Sequence, residues 1–200
     1  MRIGIDNTNN KVVWPLSLFL YFVYSGIVML FIALSLAYLL NEKQQTWEQF
    51  QLPQIFWLST LIVAAISIIM KRQIRWYQAE RFKKLRRGYI IALLLSIAFI
   101  VCQFIGWQQL QKQGITLDGT PSASYLYVIS GLHVIHILVG VVMLMVAAYR
   151  SNIYTKDEIS RLLFFTDPIR KYRLKLLVDY WHTIDFLWIY LFLVFLFMHN

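Results

Sequence analysis

Two pairs of ionisable residues lie inside long apolar runs of this 200-residue chain. His133 and His136 are three positions apart, and the same interval separates His182 from Asp185. Residues three apart lie on one face of an α-helix, so each pair presents two polar side chains in one direction. Because ionisable groups are costly in lipid and usually face the interior of a helical bundle, both pairs are candidate functional residues.

Three interpretations are open for the histidine pair. Small or polar residues continue the same helical face, namely Ser130, Gly140 and Ala147, and such a stripe is typical of a helix–helix interface in lipid. The first interpretation is therefore structural, with both imidazoles hydrogen-bonded to neighbouring helices. The second is a haem or metal ligand, and the third is a proton-binding or lipid-headgroup site.

The spacing argues against a haem or a metal ion. Counted from the basic residues at the helix ends, His136 lies about 21 Å and His182 about 10 Å from the same side, so they do not face each other across a haem. Zinc and copper need three or four converging ligands, and the sequence does not supply them. The sequence also has no phosphate-binding loop and no G-x-G-x-x-G motif. We predict no catalytic, cofactor-binding or metal-binding residue in this chain.

The second pair opens the last apolar run, after Tyr180 and Trp181. His182 and Asp185 could pair directly, and the structural interpretation is a polar clamp between helices near the inner membrane interface. The candidates for interhelical or lipid-headgroup contacts are His133, His136, Arg150, Trp181, His182 and Asp185.

The composition places these residues in a membrane. Hydrophobic residues make up 59% of the chain and charged residues 14%, compared with about 25% charged residues in soluble domains. About 20 apolar residues cross a bilayer as a helix. The sequence predicts one all-α transmembrane domain of five spans, and the first is too long for a signal-peptide core. The spans lie at about 16–40, 54–70, 88–109, 124–149 and 178–198.

The basic residues predict the orientation of the chain. Of its 19 Lys and Arg residues, all except Lys43 and Lys112 fall at the N-terminus or in the second and fourth connections between spans. By the positive-inside rule, the N-terminus is cytoplasmic and the C-terminus faces outward. The net charge of +9 therefore indicates contact with a membrane surface rather than with nucleic acid. The basic stretch from Lys71 to Arg87 is either a helix lying on the lipid surface or a helix extension, and we favour the extension.

Two segments carry a family resemblance. Residues Gly131 to Gly140 read GLHVIHILVG, and residues Tyr180 to Phe192 read YWHTIDFLWIYLF. These segments are similar to the patterns G-x-H-x-x-H-x-x-x-G and aromatic–W-H-F-x-D-x-x-W-x-x-x-F of subunit III of the haem-copper terminal oxidases. The resemblance extends in order over nearly the whole chain, with weaker matches at Pro53 and Gln103.

The resemblance implies a non-catalytic accessory subunit. It would bind no haem or copper itself, pack against a subunit I that holds both, bind phospholipid and support proton uptake. The family usually has seven helices, and this chain resembles a five-helix form. Gly26 and Gly106 stand where the family has glutamates, so no role of those carboxylates is carried over.

The resemblance thus predicts a subunit of a respiratory oxidase in a bacterial inner membrane, with cytochrome c or quinol as electron donor. The related accessory subunits of quinol oxidases and nitric oxide reductases remain alternatives. A small b-type cytochrome and a small transporter are more distant ones.

Overall fold

The computed structural model of the chain describes residues 7–42, 52–119, 121–154 and 163–198. Five long α-helices account for most of these segments, which contain no strand, so the all-α prediction is confirmed. In chain order they are α1 (Asn7–Glu42), α2 (Ile55–Gln78), α3 (Phe82–Lys112), α4 (Pro121–Ile153) and α5 (Pro168–Met198).

All five helices are long and apolar enough to cross a membrane, which confirms the prediction of five spans. The helices are longer than the predicted membrane spans. Helix α2 continues to Gln78, past the predicted span limit near residue 70, and α5 begins at Pro168, before the predicted limit near residue 178. The reason is that apolar length measures only the part of a helix in hydrocarbon, whereas backbone hydrogen bonding continues into the polar interface. The stretch from Lys71 to Arg87 is accordingly a helix extension on both sides of a short turn at 79–81.

Four helices form a ring in the order α2, α3, α4, α5, and each packs against its two neighbours. Helix α1 lies outside this ring and packs against α4 and α5. Half of the most apolar window of α5 is buried, compared with 17% of that of α1. Helix α5 is therefore the most buried of the five described helices. We call the end where α2 and α4 finish and α3 and α5 begin the basic end, because most of the lysines and arginines lie there.

The turn between α2 and α3 closes α2 with a Schellman motif. The Arg81 N–H donates to the Trp76 carbonyl at 2.9 Å, and the Glu80 N–H donates to the Tyr77 carbonyl at 3.1 Å. Glu80 has a φ of 53°, a left-handed conformation that glycine adopts more easily.

The same motif ends α3. The Ile115 N–H donates to the Leu110 carbonyl at 3.1 Å, and the Gly114 N–H donates to the Gln111 carbonyl at 3.0 Å. Here the left-handed position is a glycine, with a φ of 83°. This turn therefore closes the helix without a side chain in a strained conformation.

Helices α2 and α3 approach closely near the basic end. Gly88 faces the side chain of Gln73, and a Cβ at that glycine would overlap the Gln73 amide. Gln73 is fully buried. In the amide orientation that satisfies both groups, its nitrogen donates to the Leu85 carbonyl at 3.2 Å, and its oxygen accepts from the Tyr89 N–H at 3.0 Å. One side chain of α2 thus bonds to the backbone of α3.

Helix α5 begins with a strong helix-start signal. Asp167 precedes Pro168, and its Oδ1 accepts a hydrogen bond from the Ile169 N–H at 2.9 Å. Its Oδ2 pairs with the Arg170 Nε at 3.0 Å. An aspartate N-cap followed by proline satisfies the first helical N–H groups and fixes the backbone for helix entry. This cap places the first turn of α5 at the basic end.

Candidate functional site

Ser67 of α2 joins the two ionisable residues of α5. The His182 Nδ1 lies 2.8 Å from the Ser67 hydroxyl, near the midpoint of both helices. The same hydroxyl also interacts with the Asp185 carboxyl group. Asp185 is 3% exposed, and its Oδ2 has no hydrogen-bond partner among the described residues. His182 is therefore linked to α2 through Ser67, and among the described residues no hydrogen bond joins His182 directly to Asp185.

Trp181 is an interior packing residue and not a headgroup contact. It is 1% exposed and lies against Gly140 of α4, where a Cβ would come 2.9 Å from the indole Cζ2. Its indole Nε1 has no hydrogen-bond partner within the described segments. The absence of a side chain at Gly140 thus gives the Trp181 ring room against α4. At Gly140, a small residue of the predicted interface stripe on α4 does face a neighbouring helix.

His136 bonds to its own helix. Its Nδ1 lies 2.7 Å from the Leu132 carbonyl, one turn earlier on α4. The backbone carbonyl of His136 accepts a hydrogen bond from the Tyr180 hydroxyl at 2.8 Å, which ties α4 to α5. The imidazole also makes an edge contact with the ring of Phe31 on α1, at 5.7 Å between centroids. The expected side-chain hydrogen bond to a neighbouring helix is replaced by this ring contact.

His133 is fully buried among aromatic rings from three other helices. Its ring lies 6.2 Å from Phe31 of α1, 5.8 Å from Phe99 of α3 and 5.2 Å from Trp188 of α5, measured between centroids. Neither imidazole nitrogen has a hydrogen-bond partner in the described part of the chain. The prediction that His133 is hydrogen-bonded to a neighbouring helix is therefore wrong for the protein atoms described.

Arg150 lines an open cavity of about 540 Å³ at the basic end. Arg170 and Arg173 of α5 line the same cavity. Arg170 pairs with Asp167, and its guanidinium stacks on the Tyr154 ring at 3.8 Å. Much of the wall is apolar and comes from Leu20, Val142, Met143, Val146, Ala147, Leu174, Leu176 and Leu177. The cavity therefore combines three arginines and the Asp167 carboxylate with a largely apolar lining.

The two glycines that replace family glutamates have different surroundings. A Cβ at Gly106 would overlap the Phe56 ring, so this place is filled by an aromatic side chain of α2. Gly26 is exposed on α1, and a Cβ added there would meet no atom within 4 Å. A carboxylate is thus sterically excluded at Gly106, and one at Gly26 would project from the exposed face of α1.

Sequence reasoning missed the residues that complete these contacts. Ser67 and Thr60 of α2 were not among the candidates, yet Ser67 bonds to His182, and Thr60 accepts a hydrogen bond from the Trp188 indole at 3.2 Å. Their seven-residue spacing places them on one helical face, and this pattern could have identified them. Arg170 and Arg173 were counted only as loop charges. Within the described segments, no three His, Cys, Asp or Glu side chains converge as metal ligands.

These contacts define a multi-pass helical membrane protein in which some buried polar residues join helices and others have no partner among the described residues. A protein-family model described as cytochrome c oxidase subunit III matches residues 16–199. Because this match covers nearly the whole chain, the protein belongs to the cytochrome c oxidase subunit III family.

Individual relatives are distant. A probable cytochrome c oxidase subunit 3 of Mycobacterium leprae is 28% identical over 141 residues, which are 70% of this chain and 64% of the relative. Cytochrome c oxidase subunit 3 of Bacillus sp. PS3 is 24% identical over 179 residues, covering 84% of this chain and 79% of the relative. The protein of that name from Yarrowia lipolytica is 25% identical over 108 residues, 54% of this chain and 35% of the relative. The chain thus matches about a third of the yeast relative and less than two thirds of the mycobacterial one.

Proposed function

We propose that this chain is a non-catalytic accessory subunit of a respiratory haem-copper oxidase in a bacterial inner membrane. It packs against the catalytic subunit I, which holds the haem and copper, and it stabilises that subunit during oxygen reduction. The family match over residues 16–199 carries this proposal. The concentration of cations at the basic end supports a cytoplasmic N-terminus and an outward-facing C-terminus.

In this proposal, the chain supports proton uptake indirectly, through the neighbouring catalytic subunit. The positions of the two family glutamates are Gly26 and Gly106, and at Gly106 the Phe56 ring occupies the space of a side chain. The chain therefore has no carboxylate of its own at either place. Its contribution is to hold the catalytic subunit and the surrounding lipid in place at the uptake side.

Purification of the native complex tests the accessory role. The tagged chain is captured from gently solubilised membranes, and the absorption spectrum and subunit composition of the preparation are recorded. We expect a haem-copper subunit I to co-purify and the separated chain to be colourless. Recovery of the chain without oxidase subunits, or a haem band in the separated chain, would contradict the proposal. The identity of the co-purified catalytic subunit also distinguishes cytochrome c oxidase from quinol oxidase and nitric oxide reductase.

Phospholipid binding is the second part of the proposal, and the cavity at the basic end supports it. Arg150 and Arg173 line this cavity without a carboxylate partner among the described residues, whereas Arg170 is paired with Asp167. Two such guanidinium groups above an apolar wall suit a phosphate headgroup with acyl chains. The basic end is also where anionic headgroups of the cytoplasmic leaflet lie in the proposed orientation.

A pair of charge-matched variants tests the lipid site. Arg150→Gln with Arg173→Gln removes two cavity charges, and Arg86→Gln with Arg87→Gln removes two exposed charges of the same end that do not line the cavity. Native mass spectrometry of each complex counts the phospholipids that stay bound. We expect fewer retained anionic lipids only in the cavity variant. Equal retention in both variants would show that general surface charge, and not this cavity, holds the lipid.

A further inference from the structure

Two fully buried polar side chains near the α3–α4 interface have no protein partner among the described residues. They are His133 of α4 and Gln103 of α3, both with 0% exposure. Both imidazole nitrogens and both amide atoms lack a hydrogen bond to that part of the chain. A buried polar atom without a partner destabilises the folded state, and buried polar groups in proteins are nearly always satisfied by protein or water. Four such atoms in one interface therefore call for a ligand.

Two contacts between the antiparallel helices α3 and α4 show at which level along the helices Gln103 and His133 lie. On one side, the Trp107 Nε1 donates to the Ser130 hydroxyl at 3.0 Å. Measured from that bond along the helices, Gln103 lies about 6 Å and His133 about 4.5 Å towards the basic end. On the other side, the rings of Phe99 and His133 are 5.8 Å apart, and Gln103 follows Phe99 by one turn. Gln103 and His133 therefore lie at the same level to within about one helical turn.

The neighbouring serine hydroxyl groups already donate their protons to backbone carbonyls. Ser130 donates to the Leu126 carbonyl at 2.6 Å while it accepts from Trp107, and Ser96 donates to the Ala92 carbonyl at 2.7 Å. The Trp188 indole, whose ring contacts His133, donates to Thr60 on α2. The hydroxyl protons of Ser130 and Ser96 and the indole N–H of Trp188 are therefore committed to other acceptors.

We propose that His133 and Gln103 bind an internal water molecule that bridges α3 and α4. A neutral imidazole has one donor and one acceptor nitrogen, and a glutamine amide has both kinds of group. A water molecule can accept from one side chain and donate to the other, so it satisfies an atom on each helix. Buried waters typically make about three hydrogen bonds to groups of this type. This site does not depend on the lipid cavity, which lies at the basic end.

Water-to-nitrogen magnetisation transfer in solid-state NMR tests this site. The full chain is labelled with ¹⁵N in its four histidines and measured within its oxidase complex in bilayers. The variants His136→Gln, His182→Gln and His199→Gln assign the other three signals, so the His133 signal is identified without mutating His133. We expect water protons to transfer magnetisation to a His133 ring nitrogen.

A pair of glutamine variants then locates the water. Gln103→Leu keeps a similar side-chain volume, and we expect it to remove most of the transfer to His133. Gln73→Leu is the matched control, because Gln73 is equally buried but bonds to the backbone of α3. We expect this control to leave the His133 signal unchanged. Absence of transfer in the unmodified chain, or transfer that persists in Gln103→Leu, would overturn the bridging water. A direct correlation between the Gln103 amide and His133 would also overturn it.

Discussion

The bundle contains two fully buried glutamines, Gln73 near the basic end and Gln103 in the opposite half, and their environments differ. Gln73 faces Gly88, which lets α3 approach until its backbone satisfies the amide. Gln103 is followed one turn later by Gly106, but there the Phe56 ring fills the space that the glycine leaves. A glycine near a buried glutamine therefore does not ensure that the amide is hydrogen-bonded. At Gly88 the backbone of α3 comes close enough to bond to the amide, whereas at Gly106 an aromatic ring fills the space.

The contrast extends to the two halves of the molecule. In the basic half, hydroxyl groups reach backbone carbonyls of neighbouring elements, as Tyr24 does to Leu176 at 3.1 Å and Tyr77 does to Phe164 at 2.8 Å. In the opposite half, a cluster of aromatic rings surrounds His133, with Trp188 in edge contact with Phe99 at 4.9 Å between centroids. Hydrogen bonds join elements in both halves, since Tyr127 of the opposite half donates to the Ile115 carbonyl at 3.0 Å, and the opposite half differs in that its ring cluster encloses a histidine without a partner among the described residues.

Of the proposed substitutions, removal of Trp188 is expected to lower the free energy of unfolding most. Trp188→Ala deletes a 1% exposed ring that contacts Phe99, His133 and Phe56, and it removes the hydrogen bond to Thr60. Replacement of a buried tryptophan by alanine typically costs about 3–5 kcal/mol. We expect a loss of this size in the free energy of unfolding, measured by titration with a denaturing detergent in micelles.

Trp57→Ala is the control for this measurement, because Trp57 is 56% exposed. Its ring also contacts one aromatic neighbour, Phe192, at 4.9 Å between centroids. We expect the control to lose much less stability. Equal losses in the two variants would mean that the ring cluster around His133 does not hold the opposite half together.

Loss of the Ser67 hydroxyl is expected to leave a histidine nitrogen without a partner in the middle of the bundle, as in the His133 region. Ser67→Ala leaves His182 Nδ1 without its described partner and removes a contact of Asp185. Hydrogen bonds between membrane helices contribute about 0.6 kcal/mol on average and up to about 1.7 kcal/mol. We expect a destabilisation in that range by the same detergent titration. Ser25→Ala is the control, since Ser25 is exposed and bonds only within α1. A Ser67 variant as stable as the Ser25 variant would contradict a stabilising role of this bond.

The fold was largely predictable, and the pairing of its polar residues was not. Apolar length was sufficient for five helices, since a chain in lipid must satisfy its backbone within each span. Counting apolar residues gave the span from about residue 178 but not the start of α5, which the Asp167–Pro168 pair signals in the sequence itself. The spacing of His182 and Asp185 correctly placed them on one face. Their partner Ser67 lies 115 positions from His182, and only the packing of α2 on α5 selects it.

The two Schellman turns allow a close comparison of the two ends of the bundle. They have the same pattern of hydrogen bonds and differ in the residue at positive φ. Glu80→Gly relieves a left-handed side-chain conformation, but it also increases the entropy of the unfolded chain, so we expect a stabilisation of only about 0.5 kcal/mol. Gly114→Ala places a Cβ at a φ of 83° with no gain in contacts, because no atom lies within 4 Å of that position. We expect this change to destabilise the chain by about 1 kcal/mol.

Opposite signs for these two variants are the critical result, because both turns are exposed and neither change touches the core. Unfolding midpoints in the same detergent series measure both variants against the unmodified chain. If Glu80→Gly destabilised the protein, the Glu80 side chain would have to hold the α2–α3 turn by more than its backbone strain costs. The basic end would then depend on a surface carboxylate as well as on the hydrogen bonds of Gln73 and Tyr77.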